Sequence, residues 1–300
     1  MDKGNTIISF LHSKLLSDDT RRKTENIILK VALIGFFIHL ALIYLIKFNV
    51  FDTPAQVELF YNPISAVYTP FSFILIYEVY LLIFYLPKSF TTYITKQYEI
   101  ITLIIIRKLF KDLSALELTE NWFEIKGDLQ FTYDIIASLL LFYLIFLFQK
   151  QSKIKAKQSD SKKPYIEQFI KKKKLIAVIL VPLFFIMSVY TFINWSAEVS
   201  ISINNLTALK SINNLFFDEF FTVLILVDVV LLLISFFYTN QFHKIIRNSG
   251  FVISTILIRM SFGVSGLIST ILIIVAVLFG LAIITINNQY EKSTFADNEL

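Results

Sequence analysis

The sequence predicts an all-α protein, a polytopic transmembrane helical bundle of about seven spans, or six if the segment Thr91–Phe110 lies at the interface. Three observations lead there. Hydrophobic residues fill 56% of 300 positions and the mean hydropathy is +0.67, more apolar surface than a soluble chain of this length can bury. Several stretches approach the roughly 20 apolar residues needed to cross about 30 Å of hydrocarbon. The polar segments between them are too short to fold alone, and their basic residues gather in particular connectors.

Residues 1–25 read as a polar, amphipathic cytoplasmic leader and not a signal peptide, since the first apolar run begins only near Asn26. The transmembrane domain is expected over 26–286, and 287–300 reads as a polar tail. The clear spans are Ile27–Ile46, Ala66–Leu86, Leu129–Phe148, Leu175–Trp195, Phe216–Tyr238 and a final run ending near Ile286.

Loop charge orients them. The connector 149–174 holds ten lysines, and the leader carries Lys3, Lys14, Arg21, Arg22 and Lys23, whereas Phe48–Ala66 has no Lys or Arg. Both basic segments therefore belong on the cytoplasmic side. Three spans between them would set them on opposite sides; four restore agreement. The fourth crossing can only be Thr91–Phe110, read here as a short, polar third span running outward. Its cost is Arg107, Lys108 and Lys111 at the outer end. The acidic residues Asp112, Glu117, Glu120, Glu124 and Asp128 follow them, and long basic side chains near a helix end can snorkel to headgroups. The rival reading is an amphipathic helix on the inner surface.

Beyond Phe216–Tyr238 a short basic turn is expected at His243, Lys244 and Arg247. Residues 250–286 would make a straight helix of about 55 Å, too long for one crossing. The break is expected in "RMSFGVSG", where Arg259, Gly263 and Gly266 let an inner-surface or re-entrant helix join a span at Leu267–Ile286. The amino end then lies in the cytoplasm and the tail outside, in a plasma or inner membrane.

Cysteine is absent, which removes disulfides, thiolate catalysis and cysteine metal sites. No HExxH, phosphate loop or paired His–carboxylate spacing is present, so no metal, cofactor or catalytic residue is assigned. "GVSG" at 263–266 resembles the GxSG serine motif of rhomboid intramembrane proteases. That family needs a histidine on a later span as base, and none follows Ser265, so small residues permitting close helix contact are the better account. A seven-span microbial rhodopsin would need a lysine within Leu267–Ile286, which has none. The net charge of +5 and the Lys-rich loop point to anionic lipid headgroups as partner, not to nucleic acid.

What remains is a set of ionisable residues at membrane depth: His39, Glu78, Lys96, Glu99, Asp134, Asp228 and Arg259. Each costs about 2.5 to 3.5 kcal/mol at a helix centre on insertion scales, so each should face protein or water and have a partner. Thr92, Thr95, Glu99 and Thr102 recur at helical spacing as one polar stripe. Oxygens in such a line can replace part of a cation's hydration shell or hold a file of water. Glu78, Thr92, Thr95, Glu99, Thr102 and Asp228 are thus the ion-pathway candidates, with Lys96, Arg259, His39 and Asp134 as counter-charges or gates. The competing account makes them interhelical ion pairs that only fix packing. The function expected is conduction or transport of a small ion, with a homo-oligomer among the assemblies it allows. Its rival is a non-catalytic membrane subunit or sensor that docks a partner or anionic lipid through the basic loop.

The topology is tested by cysteine labelling at Ser114. Labelling from outside is expected; labelling only from the cytoplasmic side overturns the third-span assignment.

Overall fold

A computed structural model describes residues 3–49, 63–113, 126–156, 164–201, 207–239, 241–264 and 266–297. Among them every regular element is helical: α1 (Lys3–Leu15), α2 (Asp18–Lys47), a 3₁₀ turn (Pro63–Val67) leading into α3 (Tyr68–Tyr85), α4 (Phe90–Leu113), α5 (Lys126–Ala156), α6 (Pro164–Ile201), α7 (Thr207–Phe236), α8 (Phe242–Phe262) and α9 (Leu267–Asp297). Hydrocarbon supplies no hydrogen bonds, and a helix satisfies its own backbone, so runs this apolar take helical form.

Local signals set the boundaries. Ser17 separates α1 from α2, its Oγ accepting the Thr20 N–H at 3.1 Å, with Asp18 and Asp19 in the positively polarised first turn. Ser89 Oγ receives the Thr92 N–H in the same way at the start of α4, also at 3.1 Å. Pro182 sits inside α6, which nevertheless continues as one helix. The interruption between α8 and α9 falls within Arg259–Gly266: Gly263 caps α8, and Gly266 has φ 77°, a left-handed conformation that glycine adopts freely.

Among the described residues, seven helices are long and apolar enough to span a membrane: α2 with most of α1, α3 with its preceding turn, α5, α6, α7, α8 and α9. The number matches the sequence expectation and the membership does not. α4 has the length to cross, about 36 Å for its 24 residues, but its polar content keeps it outside this set. α8 takes its place. His243, Lys244 and Arg247, expected in a turn, lie within the first two turns of α8, where Arg247 is buried and donates through Nε and Nη2 to Asn248 Oδ1 at 3.2 and 2.9 Å. α9 runs past Ile286 to Asp297, so the expected tail starts as helix, with Asn287 and Asn288 buried. In the Lys-rich loop, α5 extends to Ala156 and α6 begins at Pro164. Residues 157–163 lie outside the described residues, as do Ser265 and 114–125, which hold Ser114 and the acidic residues Glu117, Glu120 and Glu124.

The chain forms two compact units. The first comprises 1–84, 103–131 and 176–220; the second comprises 85–102, 132–175 and 221–300. In the first, α2 packs on the 3₁₀ turn and α3, with Gly35 beneath Phe73 and His39 Nδ1 hydrogen-bonded to Thr69 Oγ1. Tyr77 donates to Glu25 Oε2 and Tyr80 to the Leu15 carbonyl, tying the leader to α3. Much of α2 leaves Ile27, Leu33, Ile34 and Phe37 exposed, a surface suited to lipid contact.

In the second unit α8 and α9 form an antiparallel hairpin. His243 pairs with Glu291 at 3.7 Å, Gly250 meets Ile283, and Ser254 Oγ donates to the Ala276 carbonyl at 2.7 Å. Tyr98 of α4 reaches this hairpin, its hydroxyl 2.7 Å from Ser254 Oγ and its ring edge-on to Phe148. A Cβ at Gly280 would collide with Tyr98 Oη and lie 3.0 Å from its Cζ, so glycine there is what admits the phenol. Gly280→Ala should therefore destabilise the protein by about 1–3 kcal/mol through overpacking, read as thermal melting in detergent. Adding Tyr98→Phe, which deletes the colliding oxygen, should recover part of the loss.

Candidate functional site

The first half of α4 concentrates polar side chains in the second unit, and its turns aim them in different directions. Thr95 Oγ1 and Thr102 Oγ1 donate to the carbonyls one turn back, Thr91 and Tyr98, at 2.8 and 3.0 Å. Thr92 is exposed and bonded to Ser89. Glu99 has both oxygens engaged: Lys96 Nζ at 2.6 Å and Gln149 Nε2 of α5 at 2.7 Å. Lys96 also lies over the Tyr85 ring.

A different face carries Tyr93 and Gln97, one turn apart, toward Asp228 of α7. Gln97 Nε2 donates to Asp228 Oδ2 at 3.0 Å. The Tyr93 hydroxyl lies close enough to Asp228 and Gln97 to act on both as a hydrogen-bonding group, but in a geometry that closes neither bond. Three oxygens are thus left without a hydrogen bond among the described residues: Asp228 Oδ1, Gln97 Oε1 and Tyr93 Oη. The exposures of Asp228, Gln97 and Tyr93 are 2%, 6% and 0%. A buried polar atom left unmatched costs on the order of 1–3 kcal/mol, so three from adjoining side chains form an energetically loaded spot.

Lys173 of α6 supplies the basic charge that acts on Asp228. Its own position is fixed elsewhere. The buried ammonium donates to the Lys88 carbonyl at 2.7 Å and lies 4.6 and 5.4 Å from the Phe90 and Phe169 ring centroids. Asp228 therefore feels a cation without forming an ion pair among the described residues.

The remaining sequence candidates are dispersed. Asp134 of α5 accepts from Thr270 Oγ1 of α9 at 2.7 Å. Arg259 is half-buried in the last turn of α8. In the first unit, Glu78 is buried with Arg107 as the basic charge acting on it, and His39 meets Thr69 as described. Of the ten, the structure joins Lys96 to Glu99, and it sets Asp228 against residues that were not singled out. Among the described residues, no three His, Cys, Asp or Glu side chains gather closely enough to hold a metal ion.

Gln97, Tyr93 and Lys173 escaped the sequence reading. Lys173 was one of ten loop lysines, but Phe169, Lys173, Ala177 and Leu180 recur at helical spacing, and the last three are buried. That periodicity, extended back through the lysine run, marks the single lysine on the inward stripe. Gln97 stood between Lys96 and Glu99, where the threonine stripe drew notice instead.

Fold and cluster together define a helical, multi-pass integral membrane protein with a buried polar centre in its second unit. No family model, curated protein or solved structure matches the chain.

Glu99, partnered on both oxygens and with a side chain 31% exposed, should tolerate neutralisation. Glu99→Gln is expected to shift stability by no more than about 1 kcal/mol in detergent melting, as for partly exposed pairs.

Proposed function

We propose that this membrane protein conducts or transports a small cation, and that Asp228 is the group the ion meets at depth. One observation carries the reading. A carboxylate on an apolar helix, 2% exposed, has one oxygen without a partner and no ion pair among the described residues. A group that served packing alone would be expected to have its charge answered directly, as Glu99 does through Lys96. Glu78 is a second buried carboxylate and the natural comparison.

The alternative is a non-conducting subunit that docks anionic lipid or a partner through the Lys-rich segment. It draws on Lys171 and Lys172, exposed at the start of α6 where headgroup contact is available. A homo-oligomer is compatible with either reading.

Reconstitution in liposomes separates the two. Cation flux above that of empty vesicles, lost in Asp228→Asn while the variant still purifies and folds, is the expected result. Absence of flux for every cation and potential tried removes the transport reading and leaves the docking subunit.

A further inference from the structure

We propose that Asp228, Gln97 and Tyr93 coordinate a single monovalent alkali cation, and that the charge of Lys173 sets the site against divalent ions. This rests on the cation reading above and adds the class of ion and the residue that selects it.

The donor atoms define the ligand's chemistry. Asp228 Oδ1, Gln97 Oε1 and Tyr93 Oη are a carboxylate, an amide carbonyl and a phenol oxygen, all without hydrogen bonds among the described residues. Hard cations take oxygen ligands of these kinds, whereas the negative charge of Asp228 repels an anion. The side chains are held for the task. Tyr93 and Gln97 share one face of α4, and the bond from Gln97 Nε2 to Asp228 Oδ2 leaves the amide and carboxylate each with one oxygen free. All three side chains are at least nine-tenths buried, so an ion bound there exchanges most of its water for protein oxygens.

Valence follows from charge. The cluster has one carboxylate, and the Lys173 ammonium acts on it from its seat at the Lys88 carbonyl and the Phe90 and Phe169 rings. With Asp228 and Lys173 both charged, a monovalent ion leaves one net positive charge and a divalent ion leaves two. In a low-dielectric interior the second is strongly disfavoured. Lys173 is anchored by contacts of its own, so it tunes the site from a distance instead of filling it.

The test uses the full chain purified in detergent and melted in lithium, sodium, potassium and magnesium chlorides, against choline chloride at equal ionic strength. Stabilisation by ligand saturates with concentration, so a midpoint can be read. One alkali cation should stabilise saturably, and magnesium should act no better than choline. Tyr93→Phe, which keeps the ring and removes one ligand oxygen, should weaken the midpoint by about tenfold. Lys173→Met, whose thioether can pack between the two phenylalanines, should tighten it by about tenfold and admit magnesium. The site is overturned if alkali salts act no better than choline, if Asp228→Asn keeps the saturable response, or if Tyr93→Phe leaves the midpoint unchanged. Lys173→Met that still excludes magnesium overturns the selectivity role. Binding without liposome flux removes the transport reading and leaves the site; flux without cation-specific stabilisation removes the site and leaves transport.

Discussion

Hydrocarbon gives no hydrogen bonds, so a polar side chain carried to membrane depth must be answered from within the chain. α4, although outside the set of apolar spans, shows the same need in concentrated form, because its first half is buried within the second unit. Between Phe90 and Thr102 it carries seven Thr, Lys, Gln or Glu side chains. Its threonines at 95 and 102 fold onto their own helix, Glu99 is held by Lys96 and Gln149, Gln97 turns to Asp228, and Tyr98 reaches Ser254 through the space left at Gly280. The answers that come from outside α4 are drawn from different helices of the second unit, so the packing of α5, α7, α8 and α9 around α4 is coupled to the solvation of its side chains.

Satisfaction is uneven, and the unevenness is informative. Asp134 and Glu99 each have a short bond from a neighbouring helix. Asp228 has one oxygen met and one bare, beside two further bare oxygens. Side chains that only hold helices together gain by closing every bond, because an open one costs as much as a lost contact. Keeping three open in one place is a cost that a bound ion would offset. Lys173 belongs to the same logic: it is buried, answered by a carbonyl and two aromatic faces, and left near the carboxylate without touching it.

Much of the architecture was legible in the sequence. The apolar runs predicted helices that are present, and "RMSFGVSG" did contain the interruption between α8 and α9, because glycines in a long apolar run have few other uses. Basic residues misled where charge was equated with loop. Arg247 is buried inside α8, bonded to its neighbour Asn248, and Lys173 lies buried against Phe90 and Phe169. A guanidinium or ammonium can enter a helix interior once partners are supplied, and the partner of Lys173, the Lys88 carbonyl, stands 85 positions away in the chain.

The sequence by itself determined the class, a helical membrane protein, since hydropathy summed along a run reports directly whether about 20 residues prefer lipid to water. It also singled out Asp228 as a carboxylate that needs an explanation, because an acid within "LILVDVVLL" is costly whatever surrounds it. Tertiary structure alone decided which partners answer it. The rotation of α4 about its axis turns Tyr93 and Gln97, not the threonine stripe, toward α7, and the inward stripe of α6 brings one lysine of four into range. Those choices depend on how neighbouring helices pack, a through-space quantity that neither composition nor local periodicity contains.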